Sequence, residues 1–411
     1  TACNKNNGND AQEITMPAYD VVEPDYTGID FSNIKIGMLC LHDKNSTYDR
    51  NFIEAMEEVQ REFGLSDSQV IIKTGIPESD KCYDEAMNLV DAGCNIVFAD
   101  SFGHEAHLIK AAKTEKGKKV LFAHATGTRA HTENLPNFVN AFASIYEGRF
   151  LAGVAAGLKL NEMIAAGKFT AEEAKIGYVG AYTYAEVISG YTSFYLGAKS
   201  VCPTVKMDVQ FTGSWYDETA EYNAANALIN GGCKLISQHA DSMGAPNACE
   251  SAGIPNVSYN GSTFEACPDT FIVSSRINWA PYYKYIIAQM AKAGNDATKA
   301  NVDKDWTGTI KTGSVVLTNV GGGAAAEGTV EKIVEVREKL VKGQIHVFDT
   351  NTFTVNGKQL DANYKADVDT DAAFAPDTIV VENGIFFESK HRSAPYFDVR
   401  IDGITLLNEK F

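Results

Sequence analysis

KIGMLCLHDKNSTYDRNFIEAMEEVQREFG, from Lys35 to Gly64, is the stretch whose reading decides the fold. It opens as an apolar run of strand length and breaks into a polar loop of Asp, Asn, Ser and Thr. It then repeats Phe52, Ile53, Met56 and Val59 at helical spacing. The pattern is strand, loop, helix. In open α/β sheets, ligands bind where such loops leave the carboxyl ends of the strands, so His42 to Asn51 is a candidate binding loop.

Working outward, strands are predicted at Ile34 to Leu41, Gln69 to Thr74, Ile96 to Ala99 and Lys119 to His124, with helices from Asp80 to Ala92 and from about His104 to Lys113 between them. Strand then helix, repeated, implies parallel βαβ units covered on both faces. After a strand at Phe138 to Ala141 and a helical run from Tyr146 to Met163, the plan restarts with strands at Lys175 to Val179, Met207 to Thr212, Leu235 to Gln238 and Pro255 to Tyr259. Helices at Glu186 to Lys199, Asp217 to Asn230 and Ala245 to Ala252 fill the intervals. Two units of like plan imply two lobes with a ligand cleft between them. Beyond them, strands are predicted at Phe271 to Ser275, Ser314 to Thr318 and Gln344 to Phe348, with helices at Pro281 to Ala293 and Thr329 to Lys342. The tail from Val355 to Phe411 has β-like pieces at Thr378 to Val381 and Thr405 to Leu407 and reads as a β excursion attached to a lobe.

At 411 residues the chain is too long for one ordinary domain, and its 45% hydrophobic content is enough for sizeable cores. Its 36 Lys plus Arg stand against 53 Asp plus Glu, a net charge of −17. Such a surface repels phosphate backbones and no basic patch offsets it, so nucleic acid is not an expected partner. No apolar run reaches the roughly 18 to 20 residues that span a bilayer.

Residues 1–32 are polar, acidic and without periodicity, which predicts a flexible tether. Thr1-Ala2-Cys3 ahead of that tether looks like the tail of a bacterial lipoprotein signal, so Cys3 is the expected lipidation site and membrane anchor. Cys40, Cys94 and Cys233 fall in or beside apolar strand runs and read as buried. No C-x-x-C occurs, against structural zinc, and Cys249 with Cys267 is a candidate disulfide.

The run Val320-Gly321-Gly322-Gly323 lacks the Lys-Ser/Thr ending of a phosphate loop, and the strand ending at Val179 continues as GAYTY rather than as a glycine fingerprint, which disfavours NTP hydrolysis and dinucleotide binding. His42, His124 and His239 each follow an apolar strand run. No carboxylate spacing accompanies them, so hydrogen bonding to a ligand or to neighbouring loops is expected rather than a metal. Tyr48 in the opening loop and Trp215, in Gly213-Ser214-Trp215-Tyr216-Asp217, come from different lobes. They could hold a flat ligand between them or each pack on its own lobe.

The chain resembles the basic membrane protein family, lipoprotein substrate-binding components of ABC transporters whose better-known members bind purine nucleosides. The resemblance runs in order over roughly residues 34–349. Asp43-Lys44 with Ser46-Thr47-Tyr48-Asp49 is similar to the family's D-K-S-F-N loop, Glu147-Gly148-Arg149-Phe150-Leu151-Ala152-Gly153 to its E-G-x-F-L-A-G helix start, and Gly213 to Asp217 to its G-S-F-x-D turn. Gly321-Gly322-Gly323 and Lys342-Gly343-Gln344-Ile345-His346-Val347 resemble its glycine turn and closing strand.

The resemblance implies a type I periplasmic-binding-protein fold, two doubly wound α/β lobes joined by crossing strands. Lobe 1 would comprise 33–142 plus 275–311 and lobe 2 would comprise 143–274 plus 312–411. It places Tyr48 and Trp215 at the purine-stacking positions, Asp43 and Asp49 among base-contacting groups, and Asn260 and Arg276 at or near the ribose-contacting positions. His124 stands where the family has a base-reading Asp. Asp49 for Asn, Asn260 for Asp and Arg276 for Lys likewise exchange donor for acceptor or alter charge, which leaves the ligand's identity more open than the transport role. With Ser101, Phe102, His239 and Asp241, these residues form the expected cleft lining. The expected protein is a monomeric, extracytoplasmic binding lipoprotein that delivers a nucleoside-like ligand to an ABC permease without cofactor, metal or catalysis. The same fold binding a different small polar ligand is one alternative, and a nucleoside hydrolase using the cleft histidines and aspartates is the alternative from another class.

Overall fold

A computed structural model of the protein describes residues 11–409, so Cys3 lies outside the described residues. After a two-residue strand β1 (Glu13–Ile14), the decisive motif forms as β2 (Ile36–Leu39) followed by α1 (Thr47–Glu62). Ser46 caps α1, its hydroxyl accepting from the Asp49 amide at 3.3 Å, which ends the loop and starts the helix at a fixed point. β3 (Val70–Lys73), α2 (Asp80–Asp91), β4 (Ile96–Ala99), α3 (Glu105–Ala112), β5 (Leu121–Ala125), α4 (Ala130–Glu133) and β6 (Phe138–Ala143) complete the first run. The second run is α5 (Ile145–Ala165), β7 (Lys175–Gly180), α6 (Ala185–Val201), β8 (Lys206–Phe211), α7 (Glu218–Asn230), β9 (Leu235–His239), α8 (Gly244–Ala252), β10 (Asn256–Tyr259) and β11 (Phe271–Ile277).

The chain then continues through α9 (Ala280–Lys292), β12 (Asp305–Gly308), β13 (Val315–Leu317), β14 (Val320–Gly321) and α10 (Thr329–Val341). The tail adds the antiparallel pairs β15 (Lys365–Ala366) with β16 (Thr378–Ile379) and β17 (Val381–Glu382) with β18 (Ile385–Phe386), and ends with β19 (Ile404–Leu406).

Two sheets define the lobes. One has the order β12-β6-β5-β4-β2-β3 and is parallel throughout; the other is β13-β11-β10-β9-β7-β8-β19, with only the β11/β13 pair antiparallel. Every residue of β2, β4, β5, β9 and β10 is buried, the pattern of strands covered on both faces. The core under α1 is aromatic: Phe52 stacks on Trp279 at 4.5 Å, and Tyr283 meets Phe98 edge-on at 5.3 Å. Full burial of a side chain such as Phe52 is worth about 1.5–3 kcal/mol.

The chain passes between the sheets at three places. β6 leads through Ser144 to α5, β11 through Asn278 to α9, and β12 through residues 309–314 to β13. These crossings are tied together, Ser144 N donating to Gly308 O and Asn278 N to Ser314 O, each at 2.8 Å.

Four expectations are corrected. Residues 11–32 are not a free tether. β1 pairs with β14, Met16 is buried with its amide on Asn319 Oδ1 at 3.0 Å, Arg337 donates to Pro17 O at 2.8 Å, and Glu23 meets Lys284 at 3.0 Å. This polar segment is ordered by backbone and ionic bonds, not by the apolar periodicity that marks an element. Gly322 serves the same contact, since its amide donates to Gln12 O at 2.7 Å and a Cβ there would collide with that carbonyl oxygen.

Ser275, Arg276 and Ile277, expected in lobe 1, pair with β13 in the seven-stranded sheet. Gln344 to Phe348 forms no strand; Phe348 instead stacks on Phe397 of the tail at 4.0 Å, an aromatic partner that satisfies an apolar run without a ladder. Cys249 and Cys267 are both buried free thiols rather than a disulfide. The tail itself spans both lobes. β19 extends the seven-stranded sheet beside β8, while Asp369 O accepts from Thr132 at 2.7 Å and Ser393 N donates to Asp305 at 2.9 Å in the other lobe.

Candidate functional site

The loops leaving β2, β4, β5, β7, β8 and β9 meet at a narrow interlobe cavity, lined by Leu41, Tyr48, Asp49, Ser101, Phe102, Thr126, Glu186, Trp215, His239 and Asp241. The carboxyl ends of both sheets therefore face one another, as open α/β sheets require of a ligand crevice. Tyr48 enters from the first turn of α1 and Trp215 from the β8–α7 loop. Tyr48 Oη donates to Asp100 O at 2.5 Å, fixing its ring, and Tyr182 meets Trp215 edge-on at 4.9 Å.

The lobes touch around this cavity. Thr47 N donates to Asp241 O at 3.2 Å, Asn51 Nδ2 to Asn260 O at 2.7 Å, and Phe102 packs against Tyr184 at 5.2 Å. This is a closed arrangement in which the start of α1 reaches across to lobe 2.

Carboxyl groups dominate the electrostatics. Burial pushes Asp49 up, but hydrogen bonds from Asp100, His42 and Ser46 outweigh it and hold the carboxyl down at about 2. Burial, then the charge of Asp49, pushes Asp100 well above the carboxylate range, so the two share one proton, held by Asp100. Burial raises Glu186 to about 7, and burial with the charges of Asp49, Glu221 and Glu186 holds Asp241 well above the usual carboxylate range. Burial, and secondarily Arg149, keeps His239 neutral. No Lys or Arg lines the cavity. The arrangement offers acceptors and aromatic faces, the chemistry for an uncharged ring that carries N–H and O–H donors.

Of the residues expected to line the cleft, Tyr48, Asp49, Ser101, Phe102, Trp215, His239 and Asp241 do so. Four do not. Asp43 is exposed and turns back on its own loop, accepting from Asn45 N at 2.9 Å. His124 is fully buried behind the cavity, its Nε2 2.6 Å from Ser101 O and its Nδ1 3.7 Å from Glu105, so it positions the Ser101 loop. Asn260 is buried beside the cross-lobe contact in a left-handed conformation, φ 67°, its carbonyl taken by Asn51. Arg276 lies in a separate cavity near the lobe crossings with Met16, Pro17, Lys284 and Arg337, because β11 continues in register past Ser275.

Glu186, Thr126 and Leu41 were missed. Glu186 had a signal: the GAYTY loop after β7 occupies in lobe 2 the place that the decisive loop occupies in lobe 1, and Glu186 follows it in the first turn of α6. The three strand-end histidines do not form a cluster, and among the described residues no group of three His, Cys, Asp or Glu side chains is placed to hold a metal.

The model of the family of PnrA-like ABC transporter substrate-binding proteins matches residues 40–351. A purine-binding protein of Brucella abortus is 33% identical over 284 residues, 68% of this chain and 73% of its own length. A Haloferax volcanii protein described as a candidate glucose-binding ABC transporter component is 25% identical over 300 residues, covering 73% and 70% of the two chains. A nucleoside-binding ABC transporter protein of Lactococcus lactis is 23% identical over 326 residues, 75% of this chain and 85% of its own. Among solved structures, an ABC transporter solute-binding protein of Aeropyrum pernix K1 superposes with a TM-score of 0.60 at 16% identity, covering 76% of this chain and 92% of the other. The shared architecture is the two-lobed type I periplasmic-binding-protein fold.

Proposed function

Since the chain belongs to the PnrA-like family of ABC transporter substrate-binding proteins, acting outside the cytoplasm, we propose that it captures a nucleoside, purine favoured, between its lobes and delivers it to a permease. The observation that carries this reading is that Tyr48 and Trp215, one from each lobe, line the same cavity. Stacking on such rings is worth about 1–3 kcal/mol per residue and tolerates any flat base. The carboxyl groups of the lining accept from sugar hydroxyls and base N–H groups, and ionised Asp49, with no Lys or Arg beside it in the lining, disfavours phosphate, so a nucleoside is favoured over its nucleotide. Lipidation of Cys3 would hold the protein at the membrane surface beside its permease.

Calorimetric titration with adenosine, guanosine, cytidine, AMP and glucose tests the reading. Nucleosides bind, AMP does not, and Trp215→Ala weakens nucleoside binding by about 5- to 150-fold, the equivalent of 1–3 kcal/mol. Nucleosides recovered intact by chromatography after incubation fit transport. Free base and ribose would point to hydrolysis, and glucose binding in place of nucleosides would refute the assignment.

A further inference from the structure

Side chains alternate along a strand, so β11 buries Ser275 and Ile277 and turns the half-buried Arg276 to the opposite face. There Arg276 lines a second cavity, well apart from the cleft, between the N-terminal segment and the lobe crossings, together with Lys284 of α9 and Arg337 of α10. Two of these three cations are already engaged. Lys284 lies 3.0 Å from both Glu23 and Glu62, and Arg337 donates to Pro17 O at 2.8 Å. The Arg276 guanidinium forms no hydrogen bond or ion pair among the described residues; burial lowers its pKa, and Glu54 and Glu58 oppose this through space alone. A guanidinium stays charged at any ordinary pH, and its planar fork of N–H donors matches a carboxylate or a phosphate with two parallel bonds.

The rest of the lining separates those two anions. Its charged side chains are three cations, Arg276, Lys284 and Arg337, against two carboxylates, Glu23 and Glu58, which leaves one positive charge to be matched. A monoanion matches it, whereas a tetrahedral dianion would meet the two carboxylates with charge to spare. Met16, Val21, Ile310, Val315 and Leu317 supply apolar walls, the surroundings of a hydrocarbon or aromatic body. Pro17, Ala18 and Glu23 form an exposed rim, so the cavity opens to solvent along the N-terminal segment.

We infer that this cavity binds a small organic monocarboxylate with an apolar body, its carboxylate on the Arg276 fork and its body against Met16, Val315 and Leu317. A bound carboxylate completes the hydrogen bonding of the one cation that the fold leaves without a partner. Charge-assisted bonds of this kind, once lost, weaken binding by about 10- to 100-fold.

Calorimetric titration of the full chain near pH 7, at constant ionic strength, with hexanoate, hexanamide, acetate and sulfate varies the charge, the body and the anion shape separately. Hexanoate is expected to bind at one site about tenfold or more tighter than each of the other three. Arg276→Gln is expected to weaken hexanoate by about 10- to 100-fold, and Arg276→Lys, which keeps the charge and loses the fork, by a smaller factor. Melting temperatures report whether each variant folds, and Arg276→Lys carries the test if Arg276→Gln does not. Trp215→Ala is expected to leave hexanoate affinity as it is. No saturable hexanoate binding, hexanamide or sulfate binding as tightly as hexanoate, or unchanged affinity in the folded Arg276 variants overturns the inference. So does hexanoate binding that is lost in Trp215→Ala, which would place the carboxylate in the cleft. The nucleoside reading is tested by guanosine and falls or stands apart from these outcomes.

Discussion

Replacing Asn51 by Ala removes a bond that exists only when the lobes are closed. Asn51 is buried on α1 of lobe 1, and its Nδ2 donates to the carbonyl of Asn260 in lobe 2 at 2.7 Å. In an open molecule water would serve both groups, so within lobe 1 the substitution removes only the long 3.4 Å bond from Asn51 Nδ2 to Thr47 O. In the closed molecule the Asn260 carbonyl loses its donor in a dry site. The net bond is worth about 0.5–1.5 kcal/mol, and a buried acceptor left bare costs about 1–3 kcal/mol. A shift of 1–2 kcal/mol against closure corresponds to about 5- to 30-fold in the closed-to-open ratio.

Ligand held by both lobes binds the closed form, so apparent affinity falls by the same factor. The assay is calorimetric titration of Asn51→Ala with guanosine, paired with small-angle scattering of the ligand-free and saturated protein. The expected outcome is weaker binding, a larger radius of gyration without ligand and an unchanged one at saturation. Affinity within twofold of wild type would refute the reasoning that this contact belongs to closure.

Other outcomes follow from the buried acids and the docked N-terminal segment. Burial raises Glu147, Glu221 and Glu388 from 4.5 to about 7, so between those values the folded chain binds protons that the unfolded chain has released. Each costs about 3 kcal/mol of stability as pH rises from 4.5 through 7. Ligand-free protein is therefore expected to melt at a higher temperature at pH 5 than at pH 8; the reverse order contradicts these assignments. Asp49 and Glu105, held at about 2, act in the opposite sense only below about pH 4. Removing residues 1–23 strips β1, the Met16 contact and the Pro17 and Glu23 bonds, and is expected to lower the melting temperature by several degrees, whereas a segment that contributed nothing would leave it unchanged.

Regular elements were legible because their apolar residues repeat at a period set by the backbone. Phe52, Ile53, Met56 and Val59 mark α1, and the continuous apolar runs mark the doubly covered strands. The expected residues that reach the cavity lie just past strand ends, such as Tyr48 at the start of α1 and Trp215 and Asp241 in loops. The failures were tertiary. Whether a strand-end His faces a cavity or the protein behind it depends on which acceptor lies nearby, and for His124 that is Ser101 O. Arg276 was misplaced because the register of β11 against β13 is set by a strand some forty residues later. The segment over residues 11–32 has no period to read, since one buried Met, a short ladder and a few bonds to Asn319, Arg337 and Lys284 hold it.

The central claim is that this cleft selects an uncharged nucleoside. Native mass spectrometry of the protein mixed with equal concentrations of guanosine, GMP and glucose sets the three chemistries in direct competition. The account predicts a single adduct at the mass of guanosine, lost in Trp215→Ala; an adduct of glucose or GMP in its place would contradict it.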